Sequence, residues 1–458
     1  MNILSVYSSH DGCITYISDN KIVFHTQVDR YNKFKHGTFP VKELIEELEK
    51  IKIDIILLSH GEYHSSQLWD EIFKTNIRLK HIPIHYYGDE FHHLFHAYCS
   101  LTWNKNIENI IVCDGTGAKL QDNYERESYY TFDGQLKHIT TEFNMIGKKY
   151  ETFTEKHFFN GLDCGKTMAW SLHDNRAQEV QKTFEKEMTD FIYRKQITDE
   201  LIFTGGCAQN ILFNSKLLYQ FNNLFCDPFN GDFGLSLGAA NYYTNNKIIN
   251  KDIYLGIPQP LDTELFLKHD IIDVTPGDVA KILIDDPVAI FQSRSEQGQR
   301  GLGNRSLLMN PTHIDAHKKL NAIKKREWFR PFACSILKEK SSEWFNMNLE
   351  ESPHMMYAFD LNKDKKNILT AGLSKDNKCR IQTVTFNNNN LFYNLLNSFY
   401  ELTEVPLLIN TSLNLPGEVL VETTYDLKKL FDNCPLKYIY LPEIKKLIIN
   451  NLLKTTVF

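Results

Sequence analysis

Arginine is scarce in this chain of 458 residues: of 51 basic side chains, 11 are arginine and 40 are lysine. Lysine is therefore the default cation, and any crowding of arginine needs a reason. Cysteine gives no frame. The nine cysteines are odd in number, scattered singly, and form no C-x-x-C pair. That pattern excludes a disulfide scaffold or a thiolate zinc site and predicts reduced thiols in the cytoplasm. The start, MNILSVYSSHDGC, lacks the charged and apolar regions of a signal peptide, and no run is apolar enough to span a bilayer. A soluble cytoplasmic protein without a membrane partner is the expectation. A net charge of −6 disfavours a dedicated nucleic-acid coat, although a local basic groove remains compatible with it. Neither a Walker A loop nor a dinucleotide fingerprint occurs.

Five of the 11 arginines, Arg294, Arg300, Arg305, Arg326 and Arg330, fall between positions 294 and 330. Guanidinium is a planar, permanently charged fork that holds carboxylate or phosphate at two points. The surrounding QRGLGNRS and KKREWFRPFA interleave glycine, proline and aromatics with these forks. A merely solvated basic face would be built of lysine here, so the block reads as a site for phosphate or an acyl phosphate.

Length favours two domains. NILSVYS, CITYISDN and KIVFHTQV read as a strand meander with a Ser-Asp-Asn turn between the last two. IDIILLSHG reads as a strand ending in a glycine turn. NIENIIVCDGTGA and ELIFTGGCAQNILFNSKLL are two strand–glycine–helix units, and 176–195 reads as an amphipathic helix. Two prolines and no clear period place a link at 256–278, dividing a domain over 1–255 from one over 279–458. The second begins with the helix DVAKILIDD and ends in the strand VPLLINTSLN.

His92 and His96 stand four apart in FHHLFHA, so on a helix they share a face and suit one metal ion. Asp114 ends the next strand and Asp232 opens a glycine turn. Two imidazoles and two carboxylates suit Fe²⁺, Mn²⁺ or Zn²⁺, while turn and cap duty is the plain alternative for the aspartates. VCDGTGA and FTGGCAQN present backbone N–H groups in the manner of a phosphate-binding turn. His10, beside Asp11 after the first strand, is the candidate proton-transfer group.

Taken in order, HDGCITY, FHHLFHA, VCDGTG, GKTMAW, TGGCAQN, GDFGLSLGAA, QRGLGNRS, KKREWFRPFA, RIQTV and LLINTSLN resemble the O-carbamoyltransferases. That family includes nodulation-factor and aminoglycoside carbamoylating enzymes. The resemblance implies an α/β protein, with a duplicated actin-like (Kae1-like) N-terminal domain and a YrdC-like, twisted α/β C-terminal domain. It implies that ATP and carbamoyl phosphate yield carbamoyl adenylate in the second domain. Arg294, Arg300, Arg305, Lys324, Arg330 and Arg380 would hold the anions, with Asn410, Ser412 and Asn414 as polar contacts. In the first domain His92, His96, Asp114 and Asp232 would hold a divalent metal, Fe or Mn in first place and Zn in second. Gly205, Gly206 and Asn210 would seat the nucleotide, and His10 would be the base for an acceptor hydroxyl.

Two departures stand out. Pro416 occupies a position that is basic in the family's N-T-S-x-N-x-x-G motif, and GKTMAW is followed closely by RAQEVQ where relatives carry a long insertion. The shortened segment suggests an open cleft able to take a bulky acceptor such as a glycan or a hydroxymethylated pyrimidine in DNA, beside the small hydroxyl-bearing molecule that the family also allows. A homodimer is compatible with the sequence. The alternative from another class is a non-catalytic, regulatory ATP-binding module.

Overall fold

The computed structural model describes residues 1–59, 63–120 and 122–455. The chain forms two compact units, Met1–Lys251 and Asp252–Phe458. Both are mixed α/β.

The first unit holds two five-stranded sheets. One consists of β1 (Asn2–Tyr7), β2 (Cys13–Ser18), β3 (Lys21–Gln27), β4 (Ile55–Ser59) and β5 (Ile84–Tyr87), in the order β3-β2-β1-β4-β5. β1 pairs antiparallel with β2 and parallel with β4. The expected turn between β2 and β3 is present. Asp19 and Asn20 have φ of 48° and 63°, the left-handed pair that a two-residue hairpin turn requires and that short polar side chains tolerate. The glycine turn expected after β4 lies outside the described residues.

The second sheet contains β6 (Asn109–Cys113), and after the small hairpin of β7 (Lys119–Leu120) and β8 (Asn123–Tyr124) come β9 (Glu127–Phe132), β10 (Leu136–Glu142), β11 (Glu200–Thr204) and β12 (Asn223–Cys226). Its order is β10-β9-β6-β11-β12. β6 pairs antiparallel with β9 and parallel with β11. The two sheets therefore repeat one topology: a central first strand with a meander on one side and parallel crossovers on the other. Sequence shows this only as two strand–glycine–helix units, because the repeat lies in connectivity rather than in residue identity.

The helices His92–Trp103 and Leu235–Tyr243 pack against each other. Gly238 permits the approach, since a Cβ there would run into the carbonyl of Phe95. The Asn175–Arg194 helix is capped by Asp174, whose carboxylate accepts from the N–H groups of Arg176 and Ala177.

The second unit is built on one ten-stranded sheet. Its strands are β13 (Asp270–Asp273), β14 (Val288–Phe291), β15 (Arg305–Met309), β16 (Ala333–Leu337), β17 (Phe345–Asn346), β18 (Ala358–Leu361), β19 (Lys378–Val384), β20 (Leu407–Ser412), β21 (Tyr438–Leu441) and β22 (Lys446–Ile449). The order is β13-β22-β21-β14-β15-β20-β16-β19-β18-β17. The stretch 256–278, expected to be a link, belongs to this unit. β13 pairs with β22, and the Pro276–Leu283 helix starts on a Thr275–Asp278 capping box. Pro276 stands in the first turn of that helix.

Candidate functional site

Four expected ligands converge in the first unit. One ligand atom from each of His92, His96, Asp114 and Asp232 lies within 4.8 Å of the others. The His92–Trp103 helix aligns its two imidazoles, β6 delivers Asp114 at its end, and Asp232 stands in the turn before the Leu235–Tyr243 helix. His96 Nε2 is 3.2 Å from Asp114 Oδ2 and 3.5 Å from Asp232 Oδ1; His92 Nε2 is 3.6 and 3.7 Å from the same oxygens. His92 Nε2, His96 Nε2 and Asp114 Oδ2 are buried without a hydrogen-bond partner. Orphaned, converging donors of this kind are costly unless something is bound between them, so the donor set fits a divalent cation.

The electrostatics agree. Burial works against a charged His96, but Asp114 and Asp232 outweigh it and push the imidazole up to about 9. Burial likewise opposes ionisation of Asp114, yet His92 and His96 hold its carboxyl well below the usual range. Two buried carboxylates demand positive charge at this point.

Tyr7, at the end of β1, was not expected here. Its hydroxyl donates to Asp232 Oδ2 at 3.0 Å and lies 3.4 Å from His92 Nδ1, fixing both groups. A tyrosine ending a strand reads as core in sequence, and nothing in its neighbours signals otherwise. His10 stands at the rim, 39% exposed, with Nε2 3.3 Å from Asp232 Oδ2.

The glycine pair is placed beside the same cluster. Gly205 has φ of 86°, and a Cβ there would meet the Cys113 carbonyl; a Cβ on Gly206 would lie 2.7 Å from Asp114 Oδ1. Both glycines therefore let the turn after β11 press against the Asp114 loop. Asn210 does something else: its side chain caps the Ile211–Leu217 helix through Phe213 N–H and exchanges hydrogen bonds with Gln181.

In the second unit the arginines divide into two groups. Arg305 is fully buried, donates to the carbonyls of Gln292, Asn304, Ser293 and Glu422, and lies over the Phe291 ring. Arg294 donates to the carbonyls of Gly256 and Leu255. These two, expected to grip an anion, are tied into the scaffold. Irregular glycine-rich backbone leaves carbonyls that one fork can satisfy several at a time.

Arg300, Arg326, Arg330 and Arg380 form the other group. Burial and the positive charges of Arg380, Arg330 and Arg326 pull Arg300 well below the ordinary arginine value. The same causes bring Arg326 to about 9 and, with Arg330 alone as the cationic neighbour, Arg380 to about 10. Arg380 Nε is buried without a hydrogen-bond partner. Glu327, 3.5 Å from Arg330, is a carboxylate that partly offsets this charge. Like charges held together in a partly dry setting favour a bound anion. Arg326, one of the five arginines of the block, belongs to the cluster although the contacts implied by the resemblance leave it out.

Lys324 sits next to these guanidiniums, but its ammonium already donates to the carbonyls of Ser412 and Asn414 and to Asn414 Oδ1. It braces the loop that contains Pro416. Ser412 Oγ donates to Asn414 Oδ1, and Asn410 Nδ2 bonds Ser335 and Gln382 while its Oδ1 is buried without a partner.

Comparison with known proteins adds to this geometry. A family model described as Carbamoyltransferase C-terminus matches residues 279–446, and one described as Carbamoyltransferase N-terminus matches residues 174–241. Nodulation protein NolNO of Sinorhizobium fredii is 32% identical over 278 residues, which is 56% of this chain and 41% of that protein. Nodulation protein NolO of Bradyrhizobium diazoefficiens is 34% identical over 247 residues, 49% of this chain and 45% of that protein. The matched segment thus spans less than half of either nodulation protein. An uncharacterized protein of Methanocaldococcus jannaschii is 24% identical over 92% of this chain and 94% of its own length. Among solved structures, the activator of 2-hydroxyisocaproyl-CoA dehydratase from Clostridium difficile with bound ADPNP aligns at TM-score 0.33 and 9% identity, covering 55% of this chain and all of that one. Full-length HypF in its phosphate- and nucleotide-bound form aligns at TM-score 0.36 and 11% identity, covering 53% and 55%. The two family models, one in each unit of the chain, identify it as a member of the carbamoyltransferase family.

Proposed function

We propose that the chain is an ATP-dependent O-carbamoyltransferase whose activation chemistry belongs to the second unit and whose transfer chemistry belongs to the first. Carbamate is a weak electrophile because nitrogen donation stabilises its carbonyl, so it needs a good leaving group. Water would hydrolyse carbamoyl phosphate to carbamate and phosphate. A carbamate oxygen would then attack the α-phosphorus of ATP, releasing pyrophosphate and leaving carbamoyl adenylate. Arg300, Arg326, Arg330 and Arg380 would hold the phosphoryl oxygens and stabilise the charge that builds on them.

In the first unit His92, His96, Asp114 and Asp232 would hold a divalent ion, with Fe²⁺ or Mn²⁺ suited to this nitrogen and oxygen set and Zn²⁺ an alternative. When bound, such an ion supplies Lewis acidity toward a carbonyl or phosphoryl oxygen. Tyr7 keeps Asp232 and His92 in place. His10 takes the proton of the acceptor hydroxyl as its oxygen attacks the carbamoyl carbon and AMP departs; Asp232, 3.3 Å away, favours the resulting imidazolium. Gly205 and Gly206 leave room for the nucleotide beside the Asp114 loop.

The repeated topology of the two sheets supports the actin-like reading of the first unit, and the YrdC-like reading of the second rests on the resemblance. The acceptor is a hydroxyl compound. Lys35 and Lys166 both pair with Asp163, and Lys148 pairs with Glu151.

The observation that carries the reading is the convergence of four ligand atoms, three of them buried without a hydrogen-bond partner, in one unit of a family member. A regulatory ATP-binding module would have no use for them. Incubation with ATP and carbamoyl phosphate, followed by mass spectrometry, tests it: a carbamoyl adenylate and AMP are expected, and neither appearing would overturn it.

A further inference from the structure

Asp11 and His36 are both non-glycine residues in the left-handed region, with φ of 55° and 65°. They hold each other there. His36 Nδ1 lies 2.6 Å from Asp11 Oδ1, and the Asp11 N–H donates to the His36 carbonyl at 3.3 Å. An ionised carboxylate only accepts, so Nδ1 carries the proton. His36 Nε2 is buried without a hydrogen-bond partner, which leaves Asp11 as the ring's polar contact.

The segment bearing His36 is itself braced. Asn32 Oδ1 accepts from Phe34 N–H and its Nδ2 donates to the Phe39 carbonyl; Trp69 Nε1 donates to the Thr38 carbonyl. Gly12 lies so close to Thr38 that a Cβ on it would stand 3.1 Å from the Thr38 Cα. A strained turn, locked from outside by a braced loop, calls for a purpose. Its immediate neighbour is His10, which faces Asp232.

We infer that His36 is a positioning residue: through Asp11 it locks the turn that presents His10 to Asp232 and so to the reacting hydroxyl. The inference rests on the proposed role of His10 but is testable without an acceptor. Imidazole ¹⁵N shifts of His10, recorded on the full chain at one fixed pH, report whether its Nε2 stays paired with Asp232. His36→Ala should erase that signature. His36→Asn should keep it, because an amide N–H can reach the position of Nδ1 and asparagine tolerates the left-handed backbone. The rate of AMP release from ATP and carbamoyl phosphate, with water as carbamoyl acceptor, should fall about tenfold or more in His36→Ala and recover in His36→Asn. His10→Ala should add little to His36→Ala, since both remove one function.

An unchanged His10 signature in His36→Ala would overturn the inference, as would additive losses in the double variant. Failure of the wild-type chain to form carbamoyl adenylate would instead sink the proposed function and leave the spectroscopic result standing.

Discussion

His96 carries a demand that one sequence position cannot show: two buried carboxylates lie within 3.5 Å of a single nitrogen. His96→Ala should therefore abolish stoichiometric binding of Mn²⁺ or Zn²⁺, measured by calorimetry on chelator-treated protein, along with the rise in melting temperature that binding confers. Binding retained at wild-type stoichiometry would refute the ligand assignment. The arginines make a second contrast at this scale. Arg305 satisfies four carbonyls in the interior, so Arg305→Lys should cost about 3 kcal/mol in urea unfolding. Arg330→Lys should change stability by less than about 0.5 kcal/mol, while weakening ATP binding. If the two substitutions behaved alike, the division into scaffold and anion-binding arginines would fail.

At the scale of elements, the ligand site depends on two packed helices, and the hairpin of β2 and β3 holds a buried histidine. Gly238→Ala drives a methyl group toward the Phe95 carbonyl and should destabilise the protein by about 1–3 kcal/mol, with looser metal binding as the helices part. His25, on β3, has Nδ1 2.8 Å from Thr15 Oγ1, and burial pulls its pKa down to about 3. The sign follows from linkage. In the unfolded chain this imidazole takes a proton near pH 6.5, whereas in the fold it stays neutral. The stability it contributes is full above that pH and is lost as pH falls toward 3, by up to about 1.4 kcal/mol per unit. Unfolding below pH 6.5 should show one proton taken up that His25→Asn lacks; equal acid sensitivity of the two chains would contradict this.

Legibility in the sequence followed range. The β2–β3 turn, the Asn175–Arg194 helix and the spacing of His92 and His96 are local patterns and were readable as such. Asp114 and Asp232 were readable because each closes a strand or opens a glycine turn. Tyr7 was hidden, since its role depends on a residue 225 positions away. The carbonyl contacts of Arg294 and Arg305 were hidden for a related reason: whether a guanidinium meets a carbonyl is decided by how the loop folds. The 256–278 stretch, expected as a link, lies within the second compact unit, and composition alone does not show which compact unit a segment packs into.

For the whole molecule, the two units present opposite electrostatic needs. The first gathers carboxylates and imidazoles that want a cation, and the second gathers guanidiniums that want an anion. That opposition is the physical basis for the proposed division of activation from transfer, and it is sharper than arginine count alone suggested, because the guanidiniums that crowd one another are Arg300, Arg326, Arg330 and Arg380. The most direct measurement quantifies carbamoyl adenylate formed from ATP and carbamoyl phosphate by wild type, Arg330→Ala and His96→Ala. The account predicts adenylate from wild type and His96→Ala, and at least a hundredfold less from Arg330→Ala, roughly what losing one charge-stabilising group costs. Loss of adenylate in both variants, or in His96→Ala alone, would contradict it.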